Sequence, residues 1–232
     1  MTTFVETLKN NPIFQLSLSS KELFHSNFLA WLAEDENTRC VFNKVMQIWL
    51  DDKNWEYKPN DMEVKREYNH FDFCVCDKFS INGNDVTGSV QLVLENKFKS
   101  IAYKAQLLDY KDRIGTLNEE GYKNKYKAEK DNNGKNLPKG WRDEVEHPNT
   151  KYILLTLADN FLDKDAIINS GWKIITYAEY AKLLRTIVEG LKDGEIKGNN
   201  DFYTELIKQY CDFVETFSEH INECLNSVFR AL

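Results

Sequence analysis

Between Met62 and Lys97 the hydrophobic period changes from that of a helix to that of a strand, and this switch sets the class of fold open to the chain. Met62, Val64, Arg66 and Tyr68 alternate along one face, as strand residues do. Residues 71–77 form a second strand candidate rich in aromatic and β-compatible side chains. Asn82-Gly83-Asn84-Asp85 is turn chemistry. Residues 90–97 open on the apolar run Val90-Gln91-Leu92-Val93-Leu94 and read as a third strand. Three strands joined this closely predict an antiparallel meander.

Helical patterns flank it. Leu23, Phe24, Phe28, Trp31 and Leu32 repeat at helical spacing over residues 20–34, with Ser19 or Ser20 as cap and Glu22 in the first turn. A second helix is expected over residues 39–50, carrying Val41, Phe42, Val45, Ile48 and Trp49. Downstream, Ser100 can cap a helix ending near Gly115. A polar excursion with a short helix follows at 116–149, then strands at 151–157 and 172–176. A helix over 178–191 precedes a long one over 202–229, whose stripe is Leu206, Tyr210, Phe213, Val214, Phe217, Ile221, Leu225 and Val228. The order predicts an α/β chain: one domain over 1–232 with a mixed sheet flanked by helices, a polar insertion at about 116–149 and a helical C-terminal extension at about 178–232.

Composition narrows the function classes. The 232 residues are 42% hydrophobic and 13% aromatic, which fits a globular core. No apolar run reaches the roughly 18 residues a membrane helix needs, so no membrane role is expected. Residues 1–11 lack the basic-then-apolar pattern of a secretory signal. The five cysteines, Cys40, Cys74, Cys76, Cys211 and Cys224, are odd in number and scattered, which fits a reduced cytoplasmic protein. Cys74-Val75-Cys76 has no second Cys/His pair at matching spacing and reads as buried strand thiols rather than a zinc site. The net charge of −7 opposes broad electrostatic binding to nucleic acid, so any such contact needs a local patch.

The chemistry concentrates at Glu95-Asn96-Lys97. Alternation puts Glu95 and Lys97 on the strand face they share with Gln91 and Val93. Asp72 lies on the preceding strand, with Phe71 and Phe73 expected to point the other way. A hairpin can bring Asp72 beside Glu95. Two adjacent carboxylates repel unless a cation lies between them. Mg²⁺, or Mn²⁺ in its place, is the natural occupant because hard cations prefer oxygen ligands. Such an ion can polarise a phosphoryl oxygen and acidify a bound water. Lys97 can stabilise the charge that develops on phosphorus.

Asp72 followed by Glu95-Asn96-Lys97 at the end of a hydrophobic strand resembles the PD-(D/E)XK nuclease superfamily, with Phe71 in place of the proline of the name motif. The element order is similar to the αβββαβ core of these restriction-endonuclease-like proteins. Gln106-Leu107-Leu108-Asp109-Tyr110 resembles the Q-x-x-x-Y helix of the RecB-like branch, and the two end residues share a helix face. The segment from Glu22 to Leu32 is similar to the opening helix of an uncharacterised bacterial branch. The resemblance implies a metal-dependent nuclease with DNA as the expected substrate. It implies Asp72, Glu95, Lys97, Gln106 and Tyr110 as catalytic residues and Glu22, Asp72 and Glu95 as metal ligands. A protein partner or a homo-oligomer is compatible with it.

Each feature also has a plainer reading. Glu95 and Lys97 can form an exposed strand-end pair, and Asp72 can be a turn residue. Gln106 and Tyr110 can simply pack a helix, Glu22 can be a first-turn acid, and His25 can be a hydrogen-bonded structural group. Lys99 and Lys104 can contact phosphate or nothing. The rival functions are a non-catalytic nucleic-acid or protein-binding module that keeps the fold, and a hydrolase of another phosphate substrate.

Overall fold

The computed structural model describes residues 21–81, 83–98, 104–133, 149–157, 163–191 and 200–231, with single positions at 13, 102 and 196. Helices α1 (Lys21–Glu34) and α2 (Arg39–Leu50) precede strands β1 (Met62–Tyr68), β2 (Phe71–Ile81) and β3 (Asn84–Lys97). Helix α3 (Lys104–Asn133), strand β4 (Lys151–Thr156), helix α4 (Lys164–Asn169) and strand β5 (Trp172–Thr176) follow. Helices α5 (Tyr177–Glu189) and α6 (Asn200–Ala231) end the described chain.

The strands form one sheet in the order β1-β2-β3-β4-β5. The first two pairings are antiparallel and the last two parallel, giving the expected mixed sheet. Both long strands outrun the sequence expectation. The turn chemistry occupies only their tip, where Gly83 takes a φ of +80° that favours glycine.

Alternation divides the core into two layers. Phe73, Val75, Leu92, Leu94, Ile153 and Leu155 face the aromatic-rich side covered by α1, α2, α5 and α6. Cys74, Cys76, Val93, Leu154 and Trp172 face the opposite side, covered by Leu107, Tyr110 and Ile114 of α3 and Ile167 of α4. Phe71 departs from its expected orientation. It packs with the second group, its ring 5.1 Å from that of Tyr110, whereas Phe73 packs with the first. Phe71 starts its strand directly after Asn69 and His70, both at positive φ, so strand alternation is not yet imposed there.

Helix α3 corrects the expectation of a helix that stops at Gly115; it continues to Asn133. Leu107, Tyr110, Ile114, Asn118 and Gly121 are buried at helical spacing, so the packed face runs on through the glycine. A mid-helix glycine costs roughly 1 kcal/mol relative to alanine, less than such burial supplies. Asn118 contributes directly: its Oδ1 accepts from the Val90 backbone N–H at 2.6 Å, and its Nδ2 donates to Thr150 Oγ1 at 3.0 Å.

The two glycines of α3 should respond oppositely to substitution. A Cβ at Gly121 would sit 2.3 Å from the backbone carbon of Gly88, while a Cβ at Gly115 would meet nothing within 4 Å. Gly115→Ala is expected to stabilise by up to about 1 kcal/mol. Gly121→Ala is expected to destabilise by about 1–3 kcal/mol. Denaturant unfolding of the two variants checks this, and equal effects would contradict the close approach of α3 to β3.

Candidate active site

The site grows from the end of β3. Strand β2 pairs with it through Phe73↔Leu94, and extending that register by one step sets Asp72 opposite Glu95. Asp72 is held there by backbone, because its Oδ2 accepts from the Asn96 N–H at 2.7 Å. Glu95 points to the α3 side and is 1% exposed. Its Oε1 receives Lys97 Nζ at 2.5 Å and the Tyr110 hydroxyl at 3.2 Å. Gln106 Nε2 in turn donates to the Tyr110 hydroxyl at 2.8 Å. Asp72, Glu95, Lys97, Gln106 and Tyr110 are thus brought into one cluster, from two strands and the first turns of α3.

The other oxygen, Glu95 Oε2, is buried and has no hydrogen-bond partner among the described residues. An orphaned carboxylate oxygen normally costs enough to be avoided. The electrostatics agree: burial first, and the nearby Asp72 second, push the Glu95 carboxyl up to about 7, against the opposing pull of Lys97. Burial and the Glu95 charge also push the Tyr110 hydroxyl upward, so it stays a donor. Two close carboxylates, one with a free buried oxygen, suit a hard divalent cation that keeps part of its water shell or takes phosphate oxygens. Among the described residues no group of three or more His, Cys, Asp or Glu side chains could hold a metal. The cluster therefore offers two protein carboxylates.

The remaining candidates fall elsewhere. Glu22 lies in the first turn of α1, and its side chain is outside the described residues, as are Lys99 and the expected cap Ser100. Lys104 is exposed at the start of α3. His25 takes the structural role: it is fully buried, and its Nδ1 shares a hydrogen bond of 2.8 Å with the Tyr210 hydroxyl. Burial alone pushes its imidazole down to about 3, so it is neutral at ordinary pH.

Sequence reasoning passed over Asn96, the middle residue of the motif, and Tyr177. The Asn96 side chain turns to the other face of the sheet, is fully buried, and accepts from the Tyr177 hydroxyl. The signal was present as an amide on a strand face otherwise occupied by Leu92 and Leu94.

A mixed sheet clad by helices, with Asp72 and Glu95-x-Lys97 meeting where an antiparallel hairpin joins a parallel strand, defines a restriction-endonuclease-like α/β fold. The chain belongs to the PD-(D/E)XK nuclease superfamily, whose family model matches residues 11–212. Members of that superfamily are generally hydrolytic nucleases and typically use divalent metals. No curated protein and no solved structure matches the chain. Among the described residues no helix is long and apolar enough to cross a membrane.

Proposed function

We propose that this chain is a Mg²⁺-dependent nuclease that hydrolyses phosphodiester bonds in DNA, with Mn²⁺ as a working substitute. The observation that carries the reading is the buried Glu95 Oε2 beside Asp72, unpartnered among the described residues, with Lys97 fixed on the other oxygen. Asp72 and Glu95 hold the cation, and Glu22 supports it in the role the family resemblance gives it. When bound, the ion supplies Lewis acidity toward phosphate and a more acidic water.

The protein groups do the rest. Lys97, kept 2.5 Å from Glu95 and 12% exposed, presents its charge to a phosphate and steadies the negative charge that builds in cleavage. Tyr110 donates to Glu95 and Gln106 donates to Tyr110, so this chain orients the ligand carboxylate as outer-shell groups do. The same pair supports placement in the RecB-like branch. The extent of the family match supports a single nuclease domain. The five cysteines, none in a disulfide among the described residues, support a reducing, cytoplasmic setting.

Incubation with linear and circular DNA, single- and double-stranded DNA, and RNA, in Mn²⁺ or EDTA, tests the reading. DNA cleavage in Mn²⁺ that EDTA abolishes is expected. Retarded migration of intact nucleic acid with no cleavage in any metal would favour the non-catalytic binding module.

A further inference from the structure

We infer that Tyr177 is a positioning residue for the Asp72 carboxylate and acts through Asn96. This rests on the nuclease reading above and concerns the same site from the opposite face of the sheet.

Asn96 stands between Glu95 and Lys97, so the orientation of its peptide governs both side chains. It does two jobs. Its backbone N–H donates to Asp72 Oδ2 at 2.7 Å, taking the carboxylate as acceptor one step past the last β2–β3 pair. Its side-chain Oδ1 accepts from the Tyr177 hydroxyl on the far face. Both Asn96 and Tyr177 are 0% exposed. The amide is therefore held from both sides, in a layer built largely from apolar and aromatic groups.

Tyr177 is itself well fixed. It is the first residue of α5, directly after Thr176, whose capping box with Glu179 sets the start of the helix. Its ring lies 4.6 Å from that of His25 and 4.9 Å from that of Phe98, between centroids. His25 is bonded to Tyr210 of α6. Helices α1, α5 and α6 thus converge behind the strand end and hold the peptide that anchors Asp72. Apolar packing alone would fill this space without two hydroxyls, an amide and an imidazole. Their placement behind the metal-facing carboxylates points to orientation rather than bulk stability.

Tyr180 provides the control. It lies one turn along α5, is equally buried, and its hydroxyl has no hydrogen-bond partner among the described residues. The experiment is a Mn²⁺ titration of melting temperature without nucleic acid, on wild type, Tyr177→Phe and Tyr180→Phe, with kcat and KM measured alongside. Tyr177→Phe is expected to raise the Mn²⁺ midpoint roughly tenfold, as loss of an outer-shell partner does, and to lower kcat with KM little changed. Tyr180→Phe is expected to keep the wild-type midpoint. If Tyr177→Phe folds poorly, Tyr177→Phe with Asn96→Leu removes both polar partners, leaves neither orphaned, and should show the same raised midpoint. A wild-type midpoint in Tyr177→Phe, or an equal shift in Tyr180→Phe, overturns the inference while the metal site stands. No Mn²⁺ response in wild type overturns the nuclease reading and this inference with it.

Discussion

Alanine at Asp72 or at Glu95 is expected to reduce cleavage by at least about a hundredfold while the fold survives, since each removes one of the two carboxylates that the strand ends bring together for the cation. The structure gives a reason to expect survival. Glu95 is buried with one oxygen unpartnered among the described residues, and its charge is disfavoured by burial and by Asp72. Glu95→Gln removes that charge and keeps the shape. Metal-free stability should then hold or rise, by up to about 2 kcal/mol, because replacing buried charge is often neutral or favourable. The gain is limited by Lys97, which loses its partner at 2.5 Å. Loss of activity together with equal or higher metal-free stability would be the signature of a site held under electrostatic stress for function. A Glu95→Gln protein that unfolds more readily than wild type at pH 8 would assign Glu95 a structural role instead.

The second large effect concerns acid. His25 has an ordinary value of 6.5 and is pushed down to about 3 by burial. Above pH 6.5 the imidazole is neutral in folded and unfolded chains, and its burial carries no protonation cost. As pH falls below 6.5 the unfolded chain takes up a proton that the folded chain refuses until about pH 3. Stability is therefore lost across that window by about 1.4 kcal/mol per pH unit. Between pH 7.5 and 4.5 the loss from this group is about 3 kcal/mol. His25→Gln should be the less stable protein at pH 7.5, since it loses ring contacts with Phe24, Phe98 and Tyr177. Its deficit should shrink by about that amount at pH 4.5. Urea unfolding at both pH values measures this, and a constant deficit would show that His25 accepts its proton in the folded state.

Much of this architecture was legible because its signals are periodic and local. The switch from helical to alternating pattern at Met62 found the meander, and Glu95 with Lys97 shared a face as two-residue spacing requires. Gln106 and Tyr110 proved to be in contact, as their one-turn spacing allowed. The failures have physical causes. Gly115 looked like a stop signal, yet α3 ran on because burial of Ile114, Asn118 and Gly121 outweighs the propensity of one glycine. Strict alternation misplaces Phe71, which follows directly on two positive-φ residues that still control the chain there. Tyr177 lies 81 positions from Asn96, and a contact of that separation leaves no local pattern. Asn96 itself is a single uncharged amide between two charged residues, and its role depends on that same distant partner.

Mn²⁺-dependent stabilisation tests whether Asp72 and Glu95 form a cation site, without requiring the right substrate. A ligand that binds only the folded chain stabilises it by RT ln(1 + [L]/Kd), about 1.4 kcal/mol at a tenfold excess over Kd. For a chain of this length that corresponds to a rise in Tm of roughly 3–6 °C. Wild type at millimolar Mn²⁺ should show a rise of this order that EDTA reverses, and Asp72→Asn/Glu95→Gln should show none. Equal shifts in the two proteins would place the metal elsewhere and leave Glu95 and Lys97 as a buried ion pair at the end of a strand.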